Sequence, residues 1–206
     1  MGYHLAGFDV VGVDIVPQPD YPFEFHQADA MTFPLDGFDV VHASPPCQAK
    51  TTMSNRHRGK GGRADSHPDY IAGIRWRLVF ADVVYVIENV PGARRDLHDP
   101  ITLSGGMFGL RVERPRLFES NVPFHALSYR KVIDPIGVYG KAHDGRRLFT
   151  RRDGTIQRAA SSLEEARAAM GMPWASWRGC AEAVPPAYTA HIGRQLIAAL
   201  GREAAA

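Results

Sequence analysis

Cysteine is scarce. The 206-residue chain has two, Cys47 and Cys180, 133 positions apart. Such a pair makes neither a disulfide framework nor a zinc-ligand spacing, and it points to a reducing, cytoplasmic setting. No run of about 18 apolar residues occurs, which excludes a membrane-spanning helix. The opening MGYHLAGFD has no basic residues ahead of an apolar core, so it does not read as a secretory signal. The nine histidines contain no H-x-x-x-H pair, which argues against a metal hydrolase and against a metal cofactor. The first 49 residues contain no Lys or Arg, yet carry Asp9, Asp14, Asp20, Glu24, Asp29, Asp36 and Asp39.

What is present is the composition of a folded domain. The chain is 45% hydrophobic, 10% aromatic and 22% charged, which excludes a disordered or low-complexity chain. The net charge of +2 conceals an asymmetry. After the acidic front come Lys50, Arg56, Arg58, Lys60 and Arg63 with no acid among them, and residues 111–158 hold 11 Lys/Arg against 5 Asp/Glu. Basic, glycine-rich segments suit a phosphate backbone; solvated loops are the plain alternative.

Three short segments read as buried strands. Phe8 to Ile15 is rich in Val and stops at Pro17; Phe38 to Ala43 stops at Pro45-Pro46; Val83 to Ile87 stops before Pro91-Gly92. Pro68 to Phe80 has helical spacing, with Tyr70, Ile71, Ile74 and Leu78 on one side. Strands apolar throughout and separated by helix predict an α/β fold with a parallel sheet covered on both faces. Chemistry in such sheets gathers at the carboxyl ends of the strands. Ser161-Ser162-Leu163-Glu164-Glu165 opens a helix with capping-box chemistry, closed by Gly171 and Pro173. Pro185-Pro186 opens a last helix, and residues 119–160 read as an irregular, basic lobe.

Four constellations carry potential chemistry. Ser44-Pro45-Pro46-Cys47-Gln48 follows the second strand, so its thiol stands where a crevice is expected; a buried loop thiol is the bland reading. Glu88-Asn89-Val90-Pro91 follows the third strand, where a partly desolvated carboxylate has a raised pKa and can share a proton. Arg114-Pro115-Arg116 reads as an extended segment whose two arginines point to the same side and can hold a carbonyl oxygen or a phosphate. Asp14 ends the first strand, where an acid can bind ribose hydroxyls, and Asp29 can accept from an amino group; either can equally be a helix cap.

Taken in order, Pro45-Pro46-Cys47-Gln48, Glu88-Asn89-Val90, Arg114-x-Arg116, Glu164 to Pro173 and Ala183-Val184-Pro185-Pro186 resemble the DNA (cytosine-5) methyltransferase family, of the small phage or restriction-modification type. The resemblance runs from residue 2 to about residue 197. It implies a doubly wound, mostly parallel sheet, the Rossmann-like fold of S-adenosylmethionine-dependent methyltransferases. In chain order this gives a catalytic core over 1–118, a short target-recognition region over 119–160 and helices completing the core over 161–206. It implies that Cys47 attacks carbon-6 of a flipped-out cytosine in double-stranded DNA, so that carbon-5 takes the methyl group. Glu88 would contact ring nitrogen-3 and the exocyclic amine. Asn89 would hold the local turn and Pro46 would shape the nucleophile loop. Arg116, with Arg114, would bind the base carbonyl oxygen and the nearby backbone. Asp14 and Ile15, Asp29 and Ala30, and Pro45 would line the S-adenosylmethionine site. Gln48, Lys50, Arg56, Arg58 and Lys60 would lie on the loop that closes over DNA, and Lys141, Arg146 and Arg147 would touch DNA from the recognition region. One flipped base per site asks for no more than a monomer.

The pattern departs from the family at three places. The first strand and its Phe-x-Gly-x-Gly-Gly loop are not found ahead of Gly7-Phe8, so the reading expects them upstream of the given start. That strand would stand near the middle of the sheet, and without it two neighbours are expected to be unpaired. Glu113 opens the arginine motif where the family often has Gln, and Glu182 stands where Asn is common. Two other readings share the motifs: a non-catalytic DNA-binding relative with an incomplete cofactor site, and a tRNA cytosine-5 methyltransferase.

Overall fold

A computed structural model describes residues 1–46, 70–140, 148–150, 154 and 156–201. The chain is a mixed α/β protein that divides into two compact units. One comprises Asp9–Thr102 and Arg116–Ala126; the other comprises Met1–Phe8, Leu103–Pro115 and Leu127–Ala206. The segment 119–160 is therefore divided between them.

The first unit holds the three strands read from the sequence. They are β1 (Val11–Asp14), β3 (Val40–Ala43) and β4 (Val84–Asn89), joined by β2 (Glu24–Gln27), β6 (Arg116–Ser120) and β5 (Ile101–Leu103), whose last residue is counted with the second unit. β1 pairs in parallel with β2, and β3 in parallel with β4. β6 runs antiparallel to β4, giving the order β3-β4-β6-β5. No ladder among the described residues joins β1 to β3, so the strands form two sheets. The burial differs accordingly. Val86 and Ile87 of β4, flanked by two strands, are fully buried, whereas every residue of β1 and of β3 is only partly buried. The sequence expectation of strands covered on both faces holds for β4 and not for β1 and β3. Among the described residues each of those two has a ladder on one side only.

Helix α2 (Ile71–Phe80) covers this sheet. Ile71, Ile74 and Leu78 recur at helical spacing and pack with Tyr85, Ile87, Leu97 and Leu117, while Met31, Leu35, Val41 and Ala43 close the edge of the cluster. A partly buried ion pair fixes the packing: the Arg75 guanidinium donates to both oxygens of Glu119 at 2.6 and 2.7 Å, and to the Asp96 carbonyl at 2.6 Å.

The second unit contains α1 (Gly2–Leu5), α3 (Leu163–Met170), α4 (Trp177–Glu182), α5 (Pro186–Ala199) and a small sheet of β7 (Ile136–Gly137), β8 (Leu148–Thr150) and β9 (Ile156–Ala159), in the order β7-β9-β8. These short strands replace the irregular lobe read from the sequence. Runs of two to four residues are too short to show a period. A Cβ on Gly193 of α5 would stand 2.7 Å from that of Ala6, so the bare glycine lets the end of α1 lie against α5.

α3 begins and ends as its sequence dictates. Ser162 accepts the Glu165 amide at 3.1 Å, and the Glu165 carboxylate returns to Ser161 N and Oγ, both at 2.8 Å. Gly171 caps the other end in the left-handed region, at φ +67°. Hydrogen bonding from Arg158, with help from Ser161, holds the Glu165 carboxyl down to about 2. Ser162→Ala therefore removes an acceptor at the helix start and is expected to cost about 1 kcal/mol, read as a lower urea midpoint at unchanged slope.

Candidate functional site at the strand carboxyl ends

β3 and β4 are parallel, so their carboxyl ends lie at one edge of the sheet, with Ala43 opposite Ile87. Glu88 and Asn89 close β4 there, and the antiparallel β6 begins beside them at Arg116. The chain leaves β3 through Ser44, Pro45 and Pro46. Asn89 ties the two strand ends together: its Nδ2 donates to the Pro45 carbonyl at 3.0 Å, and its Oδ1 accepts the Val90 amide at 2.9 Å. Asn89 is 1% exposed, and its bond to Pro45 is shielded from water. Pro45 is buried and Pro46 exposed.

Glu88 is not the solvated strand-end acid that its position alone allows. It is buried and forms an ion pair with Arg116, Nε to Oε1 at 3.0 Å. An anion and a planar cation are thereby held side by side next to the Pro45-Pro46 turn. That is a pairing of proton-sharing group and oxygen-binding group at a strand end.

His42 and Ser44 belong to the same edge; the sequence reading put Ser44 at the head of the Ser44-to-Gln48 segment but gave neither residue a role. His42 Nε2 and Ser44 Oγ are 3.0 Å apart, and the imidazole faces Phe118 with ring centroids 6.5 Å apart. Burial lowers the His42 pKa to about 4, so the ring is neutral at neutral pH. The available signal was alternation, which puts residues 42 and 44 on one face of the strand.

Arg114 differs from its expected role. The extended Arg114-x-Arg116 geometry does not form, because Arg114 takes a φ of +31°. Its guanidinium is buried and donates to the carbonyls of Ala183, Val138 and Ala181 at 2.8, 3.0 and 2.5 Å. Arg114 is thus an internal anchor of the second unit, not a partner of Arg116 in holding a ligand. Glu113, beside it, is engaged as a carboxylate: Tyr129 donates to it at 2.7 Å and Ser104 at 3.1 Å. The other unexpected acid, Glu182, is exposed and takes both its contacts from Arg178 at 3.1 Å. Neither charge is buried without a partner.

A second group of candidates lies at the ends of β1 and β2. Asp14 ends β1 opposite Gln27, and Asp29 follows β2 by two residues. Each acid holds its turn with one oxygen: Asp14 Oδ1 accepts the Val16 amide and Asp29 Oδ1 the Met31 amide, both at 2.8 Å. Among the described residues Asp14 Oδ2 has only a long contact with exposed Gln18, at 3.5 Å, and Asp29 is exposed. Both acids therefore retain acceptor capacity. Ile15, next in the chain after Asp14, is 67% exposed, and its carbonyl accepts Gln27 Nε2 at 3.2 Å. The Ala30 carbonyl accepts Arg77 Nη1 of α2 at 2.7 Å, and Arg77 Nη2 also donates to the Phe33 carbonyl, which fastens the turn after β2 to the helix.

Cys47, Gln48, Lys50, Arg56, Arg58, Lys60, Lys141, Arg146 and Arg147 lie outside the described residues. Cys180, the other thiol, is fully buried on α4, and burial raises its pKa. Among the described residues no cluster of His, Cys, Asp and Glu could hold a metal ion, and no helix is long and apolar enough to cross a membrane.

No protein-family model and no curated protein matches the chain.

Proposed function

We propose that the chain is a DNA (cytosine-5) methyltransferase core that uses S-adenosylmethionine as methyl donor. The observation that carries the reading is the Glu88–Arg116 ion pair at 3.0 Å beside the Asn89-held Pro45-Pro46 turn. These are the residues in which the sequence resembles that family, and they come from three separate stretches of chain. The finer fold reading, one doubly wound Rossmann-like sheet, also belongs here. It calls for a further strand between β1 and β3, two strands that the described residues leave unjoined.

In the proposed reaction Cys47 adds as thiolate to carbon-6 of a cytosine turned out of the duplex. The electron pair moves to carbon-5, and Glu88, having taken up a proton from water as Arg116 turns to the base, passes that proton to ring nitrogen-3 to limit the negative charge. Arg116 holds the base carbonyl oxygen. S-adenosylmethionine, when bound, supplies the methyl cation equivalent that carbon-5 takes up. Water then takes the carbon-5 proton, the thiolate is expelled, and the nitrogen-3 proton returns to Glu88, which restores the neutral aromatic ring. Asp14 and Asp29 suit the donor's ribose hydroxyls and adenine amine, because each has acceptor capacity left, and exposed Ile15 offers an apolar surface next to Asp14. Pro45 and Ala30 complete that site in this reading. The basic residues Lys50, Arg56, Arg58, Lys60, Lys141, Arg146 and Arg147, with Gln48, would meet the DNA.

The test is to express the chain in a methylation-free bacterial host and bisulfite-sequence the host DNA, alongside calorimetric titration of the purified chain with S-adenosylmethionine. The expected result is protection of cytosine within one short sequence. Salt-sensitive DNA binding without affinity for the cofactor would instead favour the non-catalytic reading, and preferential labelling of tRNA over duplex DNA would favour the RNA substrate.

A further inference from the structure

Helix α2 is apolar on both sides. Ile71, Ile74 and Leu78 point into the core. The opposite side carries Ala72, Gly73, Trp76, Val79 and Phe80, all exposed, with Trp76 68%, Val79 59% and Phe80 79% accessible. A helix that is apolar all round belongs in an interior. Its two charged residues, Arg75 and Arg77, are both engaged by acceptors of their own unit: Glu119 and the Asp96 carbonyl for Arg75, the Ala30 and Phe33 carbonyls for Arg77. The exposed stripe itself carries no formal charge.

We propose that this stripe pairs with the same stripe of a second copy of the chain, with the two α2 helices antiparallel about a two-fold axis near Trp76. The order of side-chain sizes favours that occupant. Ala72 and Gly73 lie one turn before Trp76, and Phe80 lies one turn after it. A two-fold axis through Trp76 places Phe80 of each copy over the small Ala72-Gly73 step of the other. That is the self-complementarity an isologous interface requires. A parallel pairing would set Phe80 against Phe80 and leave the small step empty. Two uncharged stripes meet without repulsion, whereas a nucleic acid or an acidic peptide would find no cation there.

The anchor is already ordered. The Trp76 and Phe80 rings are stacked, with centroids 5.3 Å apart and planes 12° from parallel, so little side-chain freedom is lost on pairing. The stripe offers on the order of 400 Å² per copy, about half the surface of a standard stable interface. That area sets the expectation of a weak, concentration-dependent pair. Catalysis on one flipped base asks for only one copy; the pairing stands on the α2 surface alone and is independent of the methyltransferase reading.

Sedimentation velocity of the full chain from about 1 to about 200 μM tests it. The wild-type chain should move from monomer to dimer across this range. Trp76→Ala with Phe80→Ala should weaken pairing by about tenfold or more, with an unchanged far-ultraviolet circular dichroism spectrum because both side chains are exposed. Ala72→Trp enlarges the apolar stripe yet fills the step that receives Phe80, so it too should weaken pairing, by about tenfold. A chain that stays monomeric at the highest concentration, a dimer indifferent to the double substitution, or one strengthened by Ala72→Trp would each overturn the proposal.

Discussion

Cys47→Ser is expected to leave no measurable transfer of methyl from S-adenosylmethionine to duplex DNA, while the protein stays folded. A serine hydroxyl at neutral pH is a far weaker nucleophile than a thiolate, and attack on carbon-6 is the step that makes carbon-5 reactive. Removing an enzyme's nucleophile typically costs on the order of 10⁴-fold or more. Glu88→Gln preserves the shape of the side chain but cannot share a proton with ring nitrogen-3. Its expected cost is about 10²- to 10⁴-fold in turnover. The two substitutions separate by a second readout. Glu88→Gln breaks the pair with partly buried Arg116 and should also lower the denaturation midpoint. Cys47→Ser should not. Tritiated methyl transfer to duplex DNA, measured with a melt of each variant, decides the matter. Methyl transfer retained by Cys47→Ser would remove the mechanism.

What could be read ahead of the structure follows a physical pattern. β3 and β4 were legible because each is a Val-rich run stopped by proline. α3 was legible to the residue because the serine start, the glutamate three positions on and the Gly171 stop are local chemistry. β2, with one apolar residue in four, and β7 to β9, only two to four residues long, were not legible. Nothing in their own residues requires a strand, and the partner does that work. The same division runs through the site. Glu88, Asn89 and Pro45 stood out because strand ends collect chemistry in α/β sheets. Arg114 misled because a two-residue spacing was taken for extended backbone, and a positive φ at that arginine is a property of the folded unit. No local pattern announces that a guanidinium will be held by the carbonyls of residues 138, 181 and 183. The partial burial of β1 and β3 was not legible in their residues, which read as strands covered on both faces; the resemblance expected only that two unnamed neighbours of a central strand would be unpaired.

The second large effect is on stability. Glu119→Ala is expected to cost about 3–5 kcal/mol, because it leaves the Arg75 guanidinium facing the sheet without its counter-charge. Glu119 is 1% exposed and accepts from Arg75 twice, from the His98 amide at 2.8 Å and from the Tyr85 hydroxyl at 3.4 Å. It therefore joins α2, β4, β6 and the loop before β5 at one point. Burial works against its charge, but the bonds from Arg75 and His98 prevail and hold its carboxyl below the usual range. The linkage follows from that sign: above the ordinary carboxylate pKa the bonds stabilise the fold in full, and this contribution is lost as pH falls through the folded-state value. His42 adds to the same trend over a higher window. Its folded pKa of about 4 lies below the unfolded value near 6.5. Between those two values the unfolded chain binds the extra proton, so stability declines as pH drops from about 6.5 to about 4. Replacing Arg75 and Glu119 together by Met and Leu should recover most of the loss and flatten the acid limb below about pH 4.5, leaving the His42 decline in place. Urea melts of the wild-type chain, Glu119→Ala and the double variant at neutral and acid pH separate the two contributions. An acid limb unchanged in the double variant would show that Glu119 does not carry it. β6 also brings Phe118 opposite Glu88 and Arg116 to the edge of the sheet, so the ion pair that holds this strand against α2 is also what holds the proposed oxygen-binding arginine in register with its carboxylate.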